Sequence, residues 1–315
     1  LMLFSILILM VNQFVTNSRR SFTTVTGKSS QVSLVKLGKV GKPIITTIVV
    51  FYAAFFAIIP LVSFALESFL EVSGDYSTFT LYYWITTEQT NESIYGSVGI
   101  LRNADIWKAF LNSLWISIVC AFIAGTFGIL VGYGVAKRRG SKLSNYVSNL
   151  AFLPYLIPAM SFATIYLILS YTSALSFLNG SLVLLIVVGS IKFLPFASKS
   201  GTNAMLQLSN EIEEAAIIVG VPWWKRMVKV LFPIQKSSFI SGYLLPFVSC
   251  MRELTLFVLL TGSSTILTAV LQNYEKYDCT QISNGINLII ILSVLIINVV
   301  VNKLTGASID KGVGG

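Results

Sequence analysis

Six stretches of the chain read as membrane spans: Ile44 to Phe69, Ala109 to Ala136, Val147 to Tyr171, Ser181 to Ser198, Phe239 to Leu260 and Ile286 to Val301. A helix needs about 20 mainly apolar residues to cross a hydrocarbon core, so runs of this kind exclude most soluble architectures. With 55% hydrophobic and only 11% charged residues, there is too little polar surface for a large soluble domain. The expected fold is all-α, a polytopic bundle of membrane helices. The fourth stretch is short and contains Lys192, which is expected to snorkel towards the cytoplasmic end.

The opening run, Leu1 to Val11, is short for a span and lacks the cationic start and small-residue cleavage site of a signal peptide. Residues 1–17 read as a partial helix, the end of a preceding unit. Residues 18–43 form a basic linker with Arg19, Arg20, Lys28, Lys36, Lys39 and Lys42 and no acid. Four bases, Lys137, Arg138, Arg139 and Lys142, follow the second span, whereas the loop from Leu70 to Lys108 carries Glu71, Asp75, Glu88, Glu92 and Asp105 against Arg102 and Lys108. Basic flanks stay in the cytoplasm, which puts that loop outside and both termini inside. A six-span domain over 44–302, with its core at about 109–302 and a tail at 303–315, follows from these boundaries.

The net charge of +9 lies in short segments between apolar runs, which speaks for membrane orientation and contact with lipid, not for nucleic acid. Cys120, Cys250 and Cys279 are far apart, and with no histidine in the chain neither a metal set nor a common general base can be assembled. They read as packing residues; no metal site or catalytic residue is expected. Gly27-Lys28-Ser29 has the ending of a phosphate loop, but Phe22 stands where the first glycine is required. Asn91-Glu92-Ser93 fits a glycosylation acceptor, a pattern too short to carry weight.

The longest polar stretch on the inner side, residues 199–238, reads as two short helices. Asn210 is placed to cap the first, with Glu213 completing a capping box and Ile212, Ala215, Ala216 and Val219 sharing a face. Gly220 suits a left-handed helix end, Pro222 the first position of a second helix, and Pro233 closes the element. Such a loop can dock into a partner's cleft. Trp223, Trp224, Lys225, Arg226 and Lys229 equally suit an amphipathic helix lying on the membrane surface.

The string Glu213-Glu214-Ala215-Ala216-Ile217-Ile218-Val219-Gly220, with Pro233 beyond it, resembles the EAA loop of type I permeases of binding-protein-dependent ABC importers. Asn112-Ser113-Leu114, Leu153-Pro154, Pro158, Leu194-Pro195 and Arg252-Glu253-Leu254 resemble the ferric-iron branch of that family. The resemblance implies a six-span permease unit and a coupling helix at Glu213, Glu214, Ala215, Ala216, Gly220, Pro222 and Pro233 that inserts into a separate ABC ATPase. It further implies a dimer of ATPase subunits that use the ATP, an extracytoplasmic solute-binding protein and a second permease unit, fused or homodimeric, in a bacterial inner membrane. The chain itself would bind no cofactor and would not be an enzyme. Ferric iron is the implied cargo; phosphonate, polyamine, sulfate or thiamine, or a secondary transporter of another class, stay open.

Pro154, Pro158 and Pro195 each remove a backbone hydrogen bond inside a span, and read as moving bends or static kinks. Arg252 and Glu253 fall well inside the fifth span, where ionisable groups are costly unless they are paired or face a cavity. As helical neighbours they would point about 100° apart, so at least one is expected to reach another helix or a cavity. They are candidate pathway residues, with a structural pairing as the other reading.

Overall fold

The structure, a computed structural model, describes residues 38–90, 98–261 and 265–307. The stub at 1–17, the linker residues 18–37 with Gly27-Lys28-Ser29, the Asn91-Glu92-Ser93 string and tail residues 308–315 lie outside the described residues. The chain divides into two compact units, Leu1–Leu66 and Glu67–Gly315.

In the first unit, helix α1 (Gly38–Ala53) passes through a π-turn (Ala54–Ile58) into α2 (Ile59–Glu67). The π-turn precedes Pro60, which has no N–H and whose ring would press on the carbonyl four residues back. Widening the turn, so that Ile59 N–H reaches Ala54 O, removes that clash without breaking the helix. Ile48, Phe51, Phe56 and Ile59 are exposed, as suits a helix whose solvent is lipid.

The second unit is built on α4 (Ala104–Lys137), preceded by the one-turn helix α3 (Tyr82–Ile85). After it come α5 (Lys142–Leu156), α6 (Ala159–Ser170) and α7 (Leu182–Leu206). A polar connection carries α8 (Asn210–Ile218), α9 (Trp223–Arg226), a π-turn (Met227–Leu231) and α10 (Phe232–Ile234). The chain then forms α11 (Lys236–Met251), α12 (Thr255–Thr261), α13 (Leu267–Lys276) and α14 (Thr280–Thr305). Among the described residues, four stretches are long and apolar enough to cross a membrane, Val40–Glu67, α4, α7 and α14. The pairs α5 with α6 and α11 with α12 raise the number to six if each is one broken span.

The two pairs correct the sequence reading. Val147 to Tyr171 is bent by 96° at Ile157-Pro158, and Phe239 to Leu260 is bent by 60° at Arg252-Glu253-Leu254. Proline chemistry accounts for the first break, because Pro158 cannot donate to the carbonyl of Pro154. Pro158 instead takes an extended ψ of 142° as the N-cap of α6. Pro195 behaves differently and lies within an unbroken α7.

The core of this unit is the close packing of α4 along α7, with α11 against both. Buried α4 residues Ala109, Ser113, Ile116, Cys120, Ala124, Gly128 and Gly132 recur at helical spacing on one stripe. Glycine sets the separation: a Cβ on Gly132 would fall 2.5 Å from Thr202 N and one on Gly201 would fall 2.9 Å from Ile129 Cα. Without a hydrophobic driving force between helices in lipid, small residues that let backbones approach are the main source of packing.

At the N-terminal end of α4, the Asn112 amide donates to Thr265 O (3.0 Å), Leu267 N–H donates to Ser113 Oγ (2.8 Å) and the Asn103 amide donates to Tyr274 OH (2.9 Å). Asn112 and Ser113 thus pin the entry to α13. At the C-terminal end of α4 stand Lys137 and the bases that follow it, together with α8 and the start of α11. The two ends separate the acid-rich loop from the basic one, as the charge pattern requires.

Candidate coupling loop and membrane cavity

The connection between α7 and α11 is ordered by local chemistry. Ser209, not Asn210, caps α8, its Oγ accepting from Glu211 N–H at 3.3 Å; Asn210 is already helical and its Oδ1 accepts from Lys137 Nζ at 3.1 Å. At the other end Val221 N–H bonds Ala216 O (3.0 Å) and Gly220 N–H bonds Ile217 O (2.9 Å), with Gly220 at φ +77°. These two bonds close a Schellman end, which only glycine adopts without strain. Pro222 is the N-cap of α9 and not its first residue; the helix after it continues through the π-turn to Ile234, so Pro233 lies inside α10 and the break falls at Gln235. As at Pro60, a π-turn accommodates the proline, here by Phe232 N–H reaching Met227 O.

Glu213 takes no part in a capping box. It is 3% exposed, its Oε1 accepts from Tyr133 OH at 2.6 Å, and its Oε2 forms an ion pair with Lys137 Nζ at 2.5 Å. Arg226 Nε stands 3.7 Å from Oε1, and the Arg226 Nη1 donates to Val221 O at 2.9 Å. Burial pushes the Glu213 carboxyl up, but the ammonium of Lys137, the Tyr133 hydroxyl and the Arg226 charge more than offset this and hold it below 4.5. Glu213 therefore fastens α8 and α9 to the end of α4, while its neighbour Glu214 is exposed. Ala215 is exposed and Ala216 half-buried, and Ile217, Ile218 and Val219 project outward at 51%, 85% and 80% exposure. The expected apolar face is thereby corrected: Ile212 and Ala216 turn inward with Glu213, and Val219 does not join them.

Arg252 and Glu253 are not on a helix, so the expected 100° divergence does not apply. They occupy the break between α11 and α12, where Glu253 Oε1 accepts from Leu256 N–H (3.0 Å) and Glu253 O accepts from Thr268 Oγ1 (2.9 Å). Both line a cavity of about 560 Å³ with Lys192, Ser249, Tyr155, Phe196 and the Ile157-Pro158 break. Lys192 does not snorkel. It is buried and its Nζ donates to Pro154 O (2.9 Å) and Ile157 O (2.5 Å), the carbonyls left over where α5 ends. Two broken helices and one lysine thus build a polar cavity within the apolar region of the bundle.

Residues 124–309, which carry α7, the loop, both breaks and α14, match the family described as binding-protein-dependent transport system inner membrane component. The chain belongs to this family. The ferric transport system permease protein FbpB of Actinobacillus pleuropneumoniae is 25% identical over 279 residues, 87% of this chain and 38% of that protein. The putative ferric transport system permease protein FbpB 1 of Haemophilus influenzae is 22% identical over 268 residues, 84% of this chain and 40% of that protein. The chain spans about two-fifths of the length of these relatives. Among solved structures, the MetNI methionine ABC transporter in an inward-facing conformation has a TM-score of 0.49 at 18% identity, covering 63% of this chain and 95% of that chain.

For this inner membrane component, sequence reasoning located the loop and the bend at Pro158, but it read Arg252 and Glu253 as helical where the chain breaks, and it missed the roles of Tyr133, Lys137, Arg226 and Lys192. The first three meet Glu213 only through tertiary packing, Lys137 from 76 positions away in sequence. Lys192 did carry a signal, since a charge inside an apolar span asks for a partner.

Proposed function

We propose that the chain forms part of the translocation pathway of an ATP-driven importer in a bacterial inner membrane, and couples to separate ABC ATPase subunits through α8 and its glycine turn. The observation that carries this reading is the outward-facing Ile217-Ile218-Val219 turn next to Glu214, held rigid by the Gly220 cap and by the Glu213 ion pairs. An apolar knuckle on a stiff stalk transmits a push, and the same side chains lying loosely on a membrane surface would not need such anchoring. An external binding protein supplies the solute, and a second permease unit, fused or a second copy, completes the pathway. The acid-rich end of α4 faces outward and the basic end faces the cytoplasm.

The proposed cargo is ferric iron, in keeping with the names of the two ferric transport relatives; phosphonate, polyamine, sulfate or thiamine are the alternatives within the family. Arg252 and Glu253 line the proposed pathway, and the breaks at Pro158 and at Arg252-Glu253-Leu254 are the proposed points of movement. Co-purification in detergent tests the coupling assignment. The wild-type permease is expected to retain its ATPase, and a Glu214→Arg, Gly220→Pro variant is expected to lose it, since proline cannot take φ +77°. If no ATPase associates with the wild type, the importer reading fails and a secondary transporter takes its place.

A further inference from the structure

The cavity between the two helix breaks has a sign. Of its charged side chains, Lys192 and Arg252 are cationic and Glu253 is anionic. Glu253 is already engaged, since its Oε1 accepts the Leu256 N–H. Two of the Lys192 donors are taken by Pro154 O and Ile157 O, which fixes the ammonium at the cavity wall. Arg252 is different: its guanidinium has no hydrogen-bond acceptor and no ion-pair partner among the described residues. Arg252 is exposed at the break, so its donors are open to water or to a ligand entering the cavity. Its planar fork of donors suits two oxygens of one anion.

The backbone agrees with the side chains. The 12-residue α6 begins at the cavity, and its N-cap Pro158 offers no side chain to its free N–H groups, so the positive end of that helix faces the same space. A volume of about 560 Å³ falls within the range of about 300–1,000 Å³ typical of small-ligand sites. A bare trivalent cation would meet one engaged carboxylate, one phenol (Tyr155) and two positive charges, an unfavourable set for it.

We propose that this cavity binds an anionic oxygen ligand, with the Arg252 guanidinium as its principal contact and Lys192 setting the local charge. The cargo then crosses as an oxyanion, or, if it is iron, as a chelate that presents anionic oxygens and never as the naked ion. The inference rests on reading the chain as an importer permease, and it names the substrate class for that site.

The test uses the full chain, with its ATPase where the two co-purify, in lipid nanodiscs. Retention of labelled phosphate, molybdate, citrate and ferric citrate is measured, with manganese(II) as the cationic comparison. Wild type is expected to retain at least one anionic probe. Arg252→Gln is expected to weaken it by about tenfold to a hundredfold, and Arg252→Lys by less, as loss of a charge-assisted fork predicts. Retention of phosphate or molybdate assigns an oxyanion cargo; retention of ferric citrate but not citrate assigns an iron chelate. The proposal is overturned if manganese(II) is held in preference to every anion, if Arg252→Gln holds the anion as well as wild type, or if wild type retains none of the anions at millimolar concentration. ATPase co-purification is scored on the same preparation, so failure of the importer reading appears there and leaves the binding result to decide the cavity by itself.

Discussion

Replacing Glu213 by Gln tests whether the proposed coupling loop is fastened to α4 as the geometry requires. Gln keeps the shape and can still accept from Tyr133, but it leaves the Lys137 ammonium and the Arg226 guanidinium without a counter-charge. Their side chains are 28% and 15% exposed, while that of Glu213 is 4% exposed, so the pair is buried on the acid side and partly wet on the basic side. Breaking a fully buried pair costs about 3–5 kcal/mol, and the water reaching Lys137 lowers the expectation here to about 2–3 kcal/mol. The assay is thermal unfolding of the detergent-solubilised chain in a double-mutant cycle with Lys137→Met, expected to give a coupling energy of about 1–3 kcal/mol. ATPase co-purification should fall in parallel, because α8 loses its anchor while Glu214 and the Ile217-Ile218-Val219 turn are untouched. The pH dependence has a definite sign. A carboxyl held below its ordinary 4.5 stabilises the fold fully above that pH, and the contribution is lost as pH falls through the lowered value. Glu213→Gln should remove this part of the acid sensitivity. A coupling energy below about 0.5 kcal/mol, the scatter of independent sites, would refute the anchoring role.

Gly132→Ala places a methyl 2.5 Å from Thr202 N, a backbone atom that cannot step aside, and should cost about 1–3 kcal/mol in thermal unfolding. Gly134→Ala, two residues on, meets nothing within 4 Å and should be stabilising by about 0.5–1 kcal/mol; equal effects at the two positions would show that α4 and α7 do not pack this closely. Lys192→Met removes the donor to the half-buried Pro154 O and Ile157 O and should destabilise by about 1–3 kcal/mol, less than the full penalty of about 1–3 kcal/mol for each of two wholly buried carbonyls. An unchanged melting temperature for Lys192→Met would mean that water reaches both carbonyls.

The membrane class, the approximate positions of the spans and the separation of charge between the two ends of α4 were legible in the sequence, because each depends on composition along a local stretch. The loop from Ser209 to Gln235 was legible for a similar reason. A glycine that must take a positive φ and the prolines that follow it punctuate the backbone wherever they occur. The two broken spans were less so. Pro154 and Pro158 both read as bends, but only Pro158 sits at the break; Pro154 and Pro195, with the same chemistry, lie inside the continuous α5 and α7. The break at Arg252-Glu253-Leu254 has no proline at all; it is held by the local bond of Glu253 to Leu256 N–H and by Thr268 to Glu253 O, a contact that exists only once α13 has packed.

What the sequence by itself determined is therefore which stretches are apolar enough to cross a membrane, which end is basic and which segment turns at a glycine, since hydropathy, charge and backbone permissiveness are properties of short stretches. What the tertiary structure decided is which of the charged groups are anchors and which are available. Glu213 and Glu214 are adjacent and chemically alike, yet packing against Tyr133 and Lys137 buries the first and leaves the second outside. Lys192 and Arg252 are cations beside the same cavity, yet the first is buried and engaged by carbonyls from a helix that happens to end beside it, and the second is exposed and faces the cavity. The energy of a charge is set by what surrounds it, and those surroundings come from helices distant in sequence.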